Sequence, residues 1–213
     1  MFAVSTYEEI ELIERQVENM EIVVFLFVKP TNSEALNIIN EFEYIHYNSE
    51  KYCSIYAVGY SNDFEKKNDK QYRKIDVTSN SDWYFSMKAF TDFKKRLEER
   101  IKWNYSGEVE ILILHNNPGR CNSLNFTNYV AIDINKGIRE GYMDSFQGFM
   151  ESLVRSAKSA VTAKEAIKGV ATDRISIKNI ITDTIGDCKK IPLPIRTIVK
   201  DRLFYRCANS IID

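Results

Sequence analysis

The residues of this 213-residue chain that could do chemistry stand first in the turn that follows an apolar run. Thr31, Asn32 and Ser33 offer hydroxyl and backbone N–H groups where a helical pattern begins. A helix N-terminus binds anions, so this turn is a candidate site for a phosphate or a carboxylate. Ordinary capping of the helix explains the same residues, and we consider it the more common role.

His115 is the second candidate binding residue, because it follows another apolar stretch and lies beside two asparagines. The ends of strands are common places for functional groups in α/β proteins. A plain turn residue is the alternative, and spacing assigns His115 no Ser or Cys partner. An enzyme of undefined reaction, with a pocket near His115 and the turn of Thr31, Asn32 and Ser33, is therefore one alternative function.

The four cysteines are too far apart to form a C-x-x-C pair. Neither a structural zinc site nor a dithiol redox site is predicted, and we expect no cofactor and no metal. Cys53 lies in a predicted strand and is expected to be a small buried hydrophobe. Cys121 lies in a Pro-Gly loop, which makes it the thiol that we expect to be most exposed.

The first half of the chain predicts a layered α/β domain built on residues 22–28, a run without any polar position. This run is typical of a central strand covered on both faces, so Phe25 and Leu26 should both be buried. An amphipathic helix is predicted over 7–19 and a second over 33–45, with Ser33 as its cap. Residues 52–60 predict a strand parallel to the first.

The second half predicts a charged insertion over 61–81 that contains one edge strand at 72–77. A long helix is expected over 85–102, flanked by aromatic clusters at 82–85 and 102–105 that anchor it half-buried. Strands at 108–114 and 129–134 and a helix near 146–154 complete the domain. Asp133 alternates with apolar neighbours, so we expect it on the wet face of an edge strand.

This element order resembles the thioredoxin-like superfamily over residues 5–157. In redox members of that family, a C-x-x-C follows the first core strand and a cis-proline precedes the third. Here the corresponding residues read Lys-Pro-Thr-Asn-Ser-Glu at 29–34 and Tyr-Ser-Gly-Glu at 105–108. The resemblance implies a three-layer domain with a mixed sheet, but both halves of the redox signature are missing, so no thiol-disulfide chemistry is carried over.

The charge of the chain is unevenly distributed although the net charge is only -1. Residues 155–213 contain 12 Lys and Arg and 6 Asp and Glu, or +6, which leaves -7 on the rest. We divide the chain into a thioredoxin-like domain, 1–157, and a basic helical extension, 158–213, with its third helix over 195–206. Contact with the acidic body is the favoured role of this extension, and a homodimer through its helices is the alternative.

Binding of nucleic acid by the extension is a further, less favoured alternative. It would use basic residues of the extension, namely Lys189, Lys190, Arg196, Lys200, Arg202 and Arg206. No apolar run approaches the length of a membrane span, and the acidic N-terminus is unlike a signal peptide, so we expect a cytoplasmic protein that does not engage a membrane. The abundance of Ile, Asn, Lys and Tyr indicates an AT-rich bacterial genome. The leading hypothesis is a redox-inactive, thioredoxin-like protein-binding or accessory module.

Overall fold

A computed structural model describes residues 2–4, 6–17, 22–31, 33–49, 52–76, 82–101, 103–117, 123–141, 143–166 and 204–205. For residues 2–4, 127–128, 160–166 and 204–205 the description is limited to the backbone. The strands are β1 Phe2–Val4, β2 Ile22–Phe27, β3 Ser54–Val58, β4 Tyr60–Ser61, β5 Arg73–Ile75, β6 Trp83–Phe85, β7 Glu110–Asn116, β8 Leu124–Asp133 and β9 Phe204–Tyr205. The helices are α1 Tyr7–Gln16, α2 Ser33–Asn40, α3 Phe42–Ser49, α4 Met87–Arg100, α5 Ile134–Arg139 and α6 Phe146–Ala166, with a 3₁₀ helix at Phe64–Asn68.

The main sheet is mixed and has the strand order β1-β3-β2-β7-β8-β9. β1, β3 and β2 are parallel, whereas β7, β8 and β9 each run antiparallel to the preceding strand in that order. β2 therefore lies inside the sheet, and all six of its residues are buried. The prediction of an α/β protein with a mixed sheet and a covered central strand is confirmed, as is the parallel pairing of β2 with β3.

Aromatic side chains from α1 and α4 cover one face of β2. Phe25 meets Phe93 with ring centroids 5.4 Å apart, and Phe27 meets Phe90 at 5.8 Å. Tyr7 of α1 lies 5.9 Å from the same Phe93, so both helices pack on this face. Because side chains alternate along a strand, Val24 and Leu26 point to the other face. The full burial of both confirms that the other face is covered too.

The predicted second helix divides into α2 and α3 at Glu41. The Glu41 N–H donates to the Ile38 carbonyl, three residues back, which tightens the chain into a turn. Phe42 then points inward, with its ring 5.4 Å from both Tyr60 and Trp83. Burial of this one aromatic ring explains why the helical pattern does not continue as a single straight helix.

The predicted insertion over 61–81 contributes Ser61 and β5 to a second sheet with the strand order β4-β6-β5. β5 is an edge strand of this sheet, as expected, although it is shorter than 72–77. β6 occupies Trp83–Phe85, where the sequence predicted helix anchors and the start of a helix at Phe85. Three consecutive aromatic residues favour a strand, and pairing with both β4 and β5 buries them. The helix prediction is therefore wrong at Phe85, and α4 begins at Met87 after the cap Ser86.

Two further predictions are corrected at the β8 edge of the main sheet. Asp133 is buried rather than solvated, because its side chain caps α5 by accepting the Lys136 N–H at 2.8 Å. Backbone pairing of Ala131 with Tyr205 and of Ile132 with Phe204 adds β9 beside β8. Residues 204–205 were predicted to be part of a third tail helix, so that prediction is wrong at these two positions.

The predicted boundary at 157/158 falls inside α6, which continues to Ala166. The rest of the predicted helical extension, apart from 204–205, lies outside the described residues. Within the described part of the chain, no helix is both long enough and apolar enough to cross a membrane.

Candidate functional site

The turn that follows β2 lies against the loop that precedes β7. Since β2 and β7 are antiparallel, with Phe27 opposite Glu110, the end of one strand meets the start of the other. The Lys29 Nζ atom lies 5.1 Å from the centre of the Tyr105 ring, in a cation–π geometry. Tyr105 in turn lies 5.9 Å from Phe27 and 5.5 Å from Phe90, so the core positions its ring.

The second sheet contributes Arg73 to the same place. One guanidinium nitrogen, Nη2, donates to the Pro30 carbonyl at 3.1 Å, and the guanidinium lies 5.8 Å from the Phe85 ring. Tyr60 anchors the chain just after β2, because its hydroxyl donates a hydrogen bond to the Val28 carbonyl at 2.9 Å. Arg73 was not among the binding residues predicted from the sequence, although the predicted edge strand at 72–77 contains it.

Thr31 and Ser33 are exposed at this turn. The Thr31 hydroxyl donates to the Lys29 carbonyl at 3.4 Å and does not cap α2. Ser33 is the first residue of α2 rather than the residue before it, so it is not the cap that the sequence predicted. Asn32 lies outside the described residues. We call the group formed by Lys29, Thr31, Ser33, Arg73 and Tyr105 the β2-end surface.

A buried carboxylate holds the loop beneath this surface. Glu110 is 5% exposed, and its two oxygens accept the Trp103 Nε1–H at 2.8 Å and the Ser106 N–H at 2.7 Å. Burial raises the pKa of the Glu110 carboxyl; the hydrogen bonds from Ser106 and Trp103 oppose this shift and the charge of Asp133 adds to it. Both oxygens of the carboxylate face inward, so Glu110 orders the loop and presents no free oxygen to a ligand.

The Tyr105 hydroxyl is also engaged within the loop, where it donates to the Glu108 carbonyl at 2.6 Å. Its pKa is raised, first by burial and then by the nearby carboxylates of Glu110 and Glu108. The ring therefore stays neutral at physiological pH. The β2-end surface thus offers two cations, two hydroxyl groups and a half-buried aromatic ring, and these groups are suited to binding.

His115 lies at the opposite end of β2 from Thr31. It is a residue of β7 rather than of the loop after it, is 6% exposed, and pairs with Ile22 at the start of β2. The pocket that the sequence analysis placed near both His115 and the turn is therefore not formed by these residues together. Whether each of them binds a ligand stays a prediction.

The end of β2 near His115 contains a buried polar network instead. The Glu14 carboxylate, which is fully buried, accepts the Tyr56 hydroxyl at 2.5 Å and the Asn116 side-chain N–H at 2.9 Å. Burial comes first among the causes that raise the pKa of Tyr56, followed by the charge of Glu14. This network ties α1 to β3 and β7, which is a structural role.

A cleft of about 410 Å³ lies between α1, α4 and the 3₁₀ helix, and none of the described site residues predicted from the sequence, Thr31, Ser33 and His115, lines it. The residues that line it are Thr6, Tyr7, Glu8, Lys66, Asp69, Gln71, Tyr72, Ser86, Lys88, Ala89, Asp92, Phe93 and Arg96. Acidic and basic side chains are equal in number there, and Arg96 pairs with Glu8. The cleft thus has no charge of one sign that would select a ligand class.

The remaining predicted residues divide into one buried thiol and a group outside the described residues. Cys53 is buried, as predicted, and burial raises the pKa of its thiol to about 12. Cys121 and the basic residues of the extension lie outside the described residues; the latter are Lys189, Lys190, Arg196, Lys200, Arg202 and Arg206. Among the described side chains, no group of three His, Cys, Asp or Glu residues could hold a metal ion.

No family model, curated protein or solved structure matches this chain.

Proposed function

We propose that this chain is a redox-inactive, thioredoxin-like protein that acts as a protein-binding or accessory module through its β2-end surface. In this proposal it is a bacterial, cytoplasmic protein with a three-layer α/β domain. Its partner contacts Thr31, Ser33 and the neighbouring side chains of that surface. The basic extension docks on the body of the same chain.

The observation that carries the proposal is the contact between Lys29 and Tyr105. In redox members of the thioredoxin-like superfamily, the turn after the first core strand holds the thiols and the loop before the third core strand holds a cis-proline that faces them. The turn and the loop occupy the same two places in the order of elements here, and they touch. Lys29 and Tyr105 contact each other at the positions that the thiols and the cis-proline hold in redox members of the superfamily. This contact supports the resemblance, and the residue types at these positions argue against redox chemistry.

The state of Cys53 supports the redox-inactive part of the proposal. Thiolate, not thiol, is the nucleophile in disulfide exchange. With a pKa of about 12 and almost no exposure, the Cys53 sulfur contributes a negligible fraction of thiolate at neutral pH. We expect the purified protein to show no enzyme-like reduction of insulin in the presence of dithiothreitol, and sustained turnover in that assay would contradict the proposal.

The engaged state of the acidic groups favours binding over catalysis at the β2-end surface. A general base needs an accessible atom within hydrogen-bond distance of the substrate. Both Glu110 oxygens are bonded to the loop, and the Tyr105 hydroxyl donates to the Glu108 carbonyl. The exposed groups at this surface are instead the hydroxyl groups of Thr31 and Ser33 and the side chain of Arg73.

Site-specific photocrosslinking in the native host tests the binding role. A benzophenone side chain replaces Thr31 in one variant and Leu12 in a control variant; Leu12 is 57% exposed on α1 and is apolar. We expect a discrete adduct from position 31 only, and we expect the crosslinked protein, once purified, to bind the wild-type chain reversibly. Equal labelling from both positions, or no adduct from position 31, would show that the β2-end surface is not a binding surface.

A further inference from the structure

We infer that the β2-end surface recognises a carboxylate-bearing, acidic segment of its protein partner. This inference rests on the proposed function and names the chemistry of the partner. It depends on two cations, Lys29 and Arg73, which two different sheets bring to the same turn. Lys29 immediately precedes Pro30 in the chain, and Arg73 donates to the Pro30 carbonyl, so both residues belong to the turn after β2.

Arg73 has donors left over for a partner. A guanidinium carries five N–H groups. Within the described part of the chain, its hydrogen bond is the one to the Pro30 carbonyl, and the centre of its guanidinium lies 5.8 Å from the centre of the Phe85 ring. The side chain is exposed but held at two points. A carboxylate can therefore take the remaining N–H groups, in the paired geometry that arginine favours, with little further loss of side-chain freedom.

Lys29 is held in place in a comparable way. Its ammonium lies over the Tyr105 ring, and among the described residues it forms no ion pair that would neutralise it. The ring is neutral and its hydroxyl is bonded elsewhere, so it orients the ammonium without removing its charge. Lys74, the next residue after Arg73, differs in this respect because it pairs with Asp82.

The two carboxylates of the loop before β7 are engaged in hydrogen bonds within the protein. Glu110 is bonded to Trp103 and Ser106, and the Glu108 side chain accepts the Asn135 amide at 2.9 Å. These hydrogen bonds leave the charges of both carboxylates in place, and Glu110, Glu108 and Asp133 all act on Tyr105. Glu34, in the first turn of α2, is exposed and adds one more negative charge. Within the β2-end surface, Lys29 and Arg73 are therefore the side chains that can pair with a carboxylate, and this pairing is the contact that an acidic segment would make.

An NMR titration of the full-length protein tests the inference with two synthetic probes. The first is an acetylated, amidated hexapeptide of alternating Glu and Ala, and the second has Gln in place of each Glu. We expect amide shifts at Thr31, Ser33, Arg73 and Tyr105 with the first peptide only, and weaker binding as salt rises. Shifts of equal size with both peptides, or shifts confined to other residues, would overturn the inference.

Matched variants separate these two cations from net charge. Lys29→Gln and Arg73→Gln should each weaken binding of the acidic peptide by about threefold to tenfold. Lys88→Gln removes the same charge from an exposed position on α4 and should leave the affinity unchanged. If Arg73→Gln fails to fold, the comparison of Lys29→Gln with Lys88→Gln tests the inference. Equal losses of affinity for the acidic peptide in these two variants would refute it.

The outcome can be told apart from failure of the proposed function. If Thr31 still forms its crosslink while Lys29→Gln binds the acidic peptide as well as the wild type does, the surface binds a partner but not through acidic groups. If Thr31 forms no crosslink, the proposed function fails, whatever the peptide does.

Discussion

Truncation of Phe25 to alanine is the sharpest test of the central position of β2. The Phe25 side chain is 0% exposed and lies between the rings of Phe93, at 5.4 Å, and Tyr56, at 6.0 Å. Removing a fully buried phenylalanine costs about 3–5 kcal/mol, from lost transfer free energy plus the cavity that remains. Tyr56 is held by its hydrogen bond to Glu14, so it cannot move into the cavity.

We therefore expect the free energy of unfolding to fall by about 4–5 kcal/mol, in the upper half of that range. For a chain of this size, such a loss lowers the melting temperature by roughly 8–20 °C. Urea denaturation followed by circular dichroism measures the first quantity, and a thermal scan measures the second. Phe25→Leu, which keeps most of the buried volume, should lose much less.

Phe64→Ala is the matched control, because it is the same substitution at a ring that is 69% exposed. Its effect should stay within about 0.5 kcal/mol, as for other surface changes. A loss below about 1 kcal/mol for Phe25→Ala, or equal losses for both variants, would refute the reasoning. That result would mean that the β2 strand does not form the centre of the core.

Two further predictions concern the α3–α6 contact and the extension. Burial, and then the charge of Glu151, raise the pKa of Glu41, so ionisation of Glu41 destabilises the fold as pH rises through that pKa. Near pH 7, the free energy of unfolding of Glu41→Gln should exceed that of the wild type by a few tenths to about 1 kcal/mol, and near pH 4 it should not exceed it. Urea denaturation at both pH values measures this difference. A difference that does not change with pH would contradict the prediction. Truncation after Ala166 removes β9, and we expect the truncated chain to aggregate in size-exclusion chromatography with light scattering, because its β8 edge is uncovered. A truncated chain that stays monodisperse, in the oligomeric state of the full-length protein, would show that the extension does not dock on the body.

The sequence by itself determined the elements whose signal is local. The apolar run at 22–28 predicted a strand covered on both faces, and every residue of β2 is buried. Helical spacing found α1 and α4 to within a few residues, and the strand formers at 52–60 found β3. These patterns are readable because a strand covered on both faces needs an unbroken apolar run, and a helix that buries one face needs apolar residues at a period of 3.6. The charged insertion was also located, though not its fold.

Only the tertiary structure decided which residues share a site. Lys29, Arg73 and Tyr105 come from three separate segments, and the pairing of β2 with β7 and the position of the second sheet bring them together. The same antiparallel register sends His115 to the far end of β2, away from Thr31. Strand direction and register depend on contacts between distant segments, which leave no periodic trace in either one. Pairing between strands likewise made Trp83–Phe85 a strand, where the sequence predicted two helix anchors and a helix start at Phe85, since β6 pairs with β4 on one side and with β5 on the other.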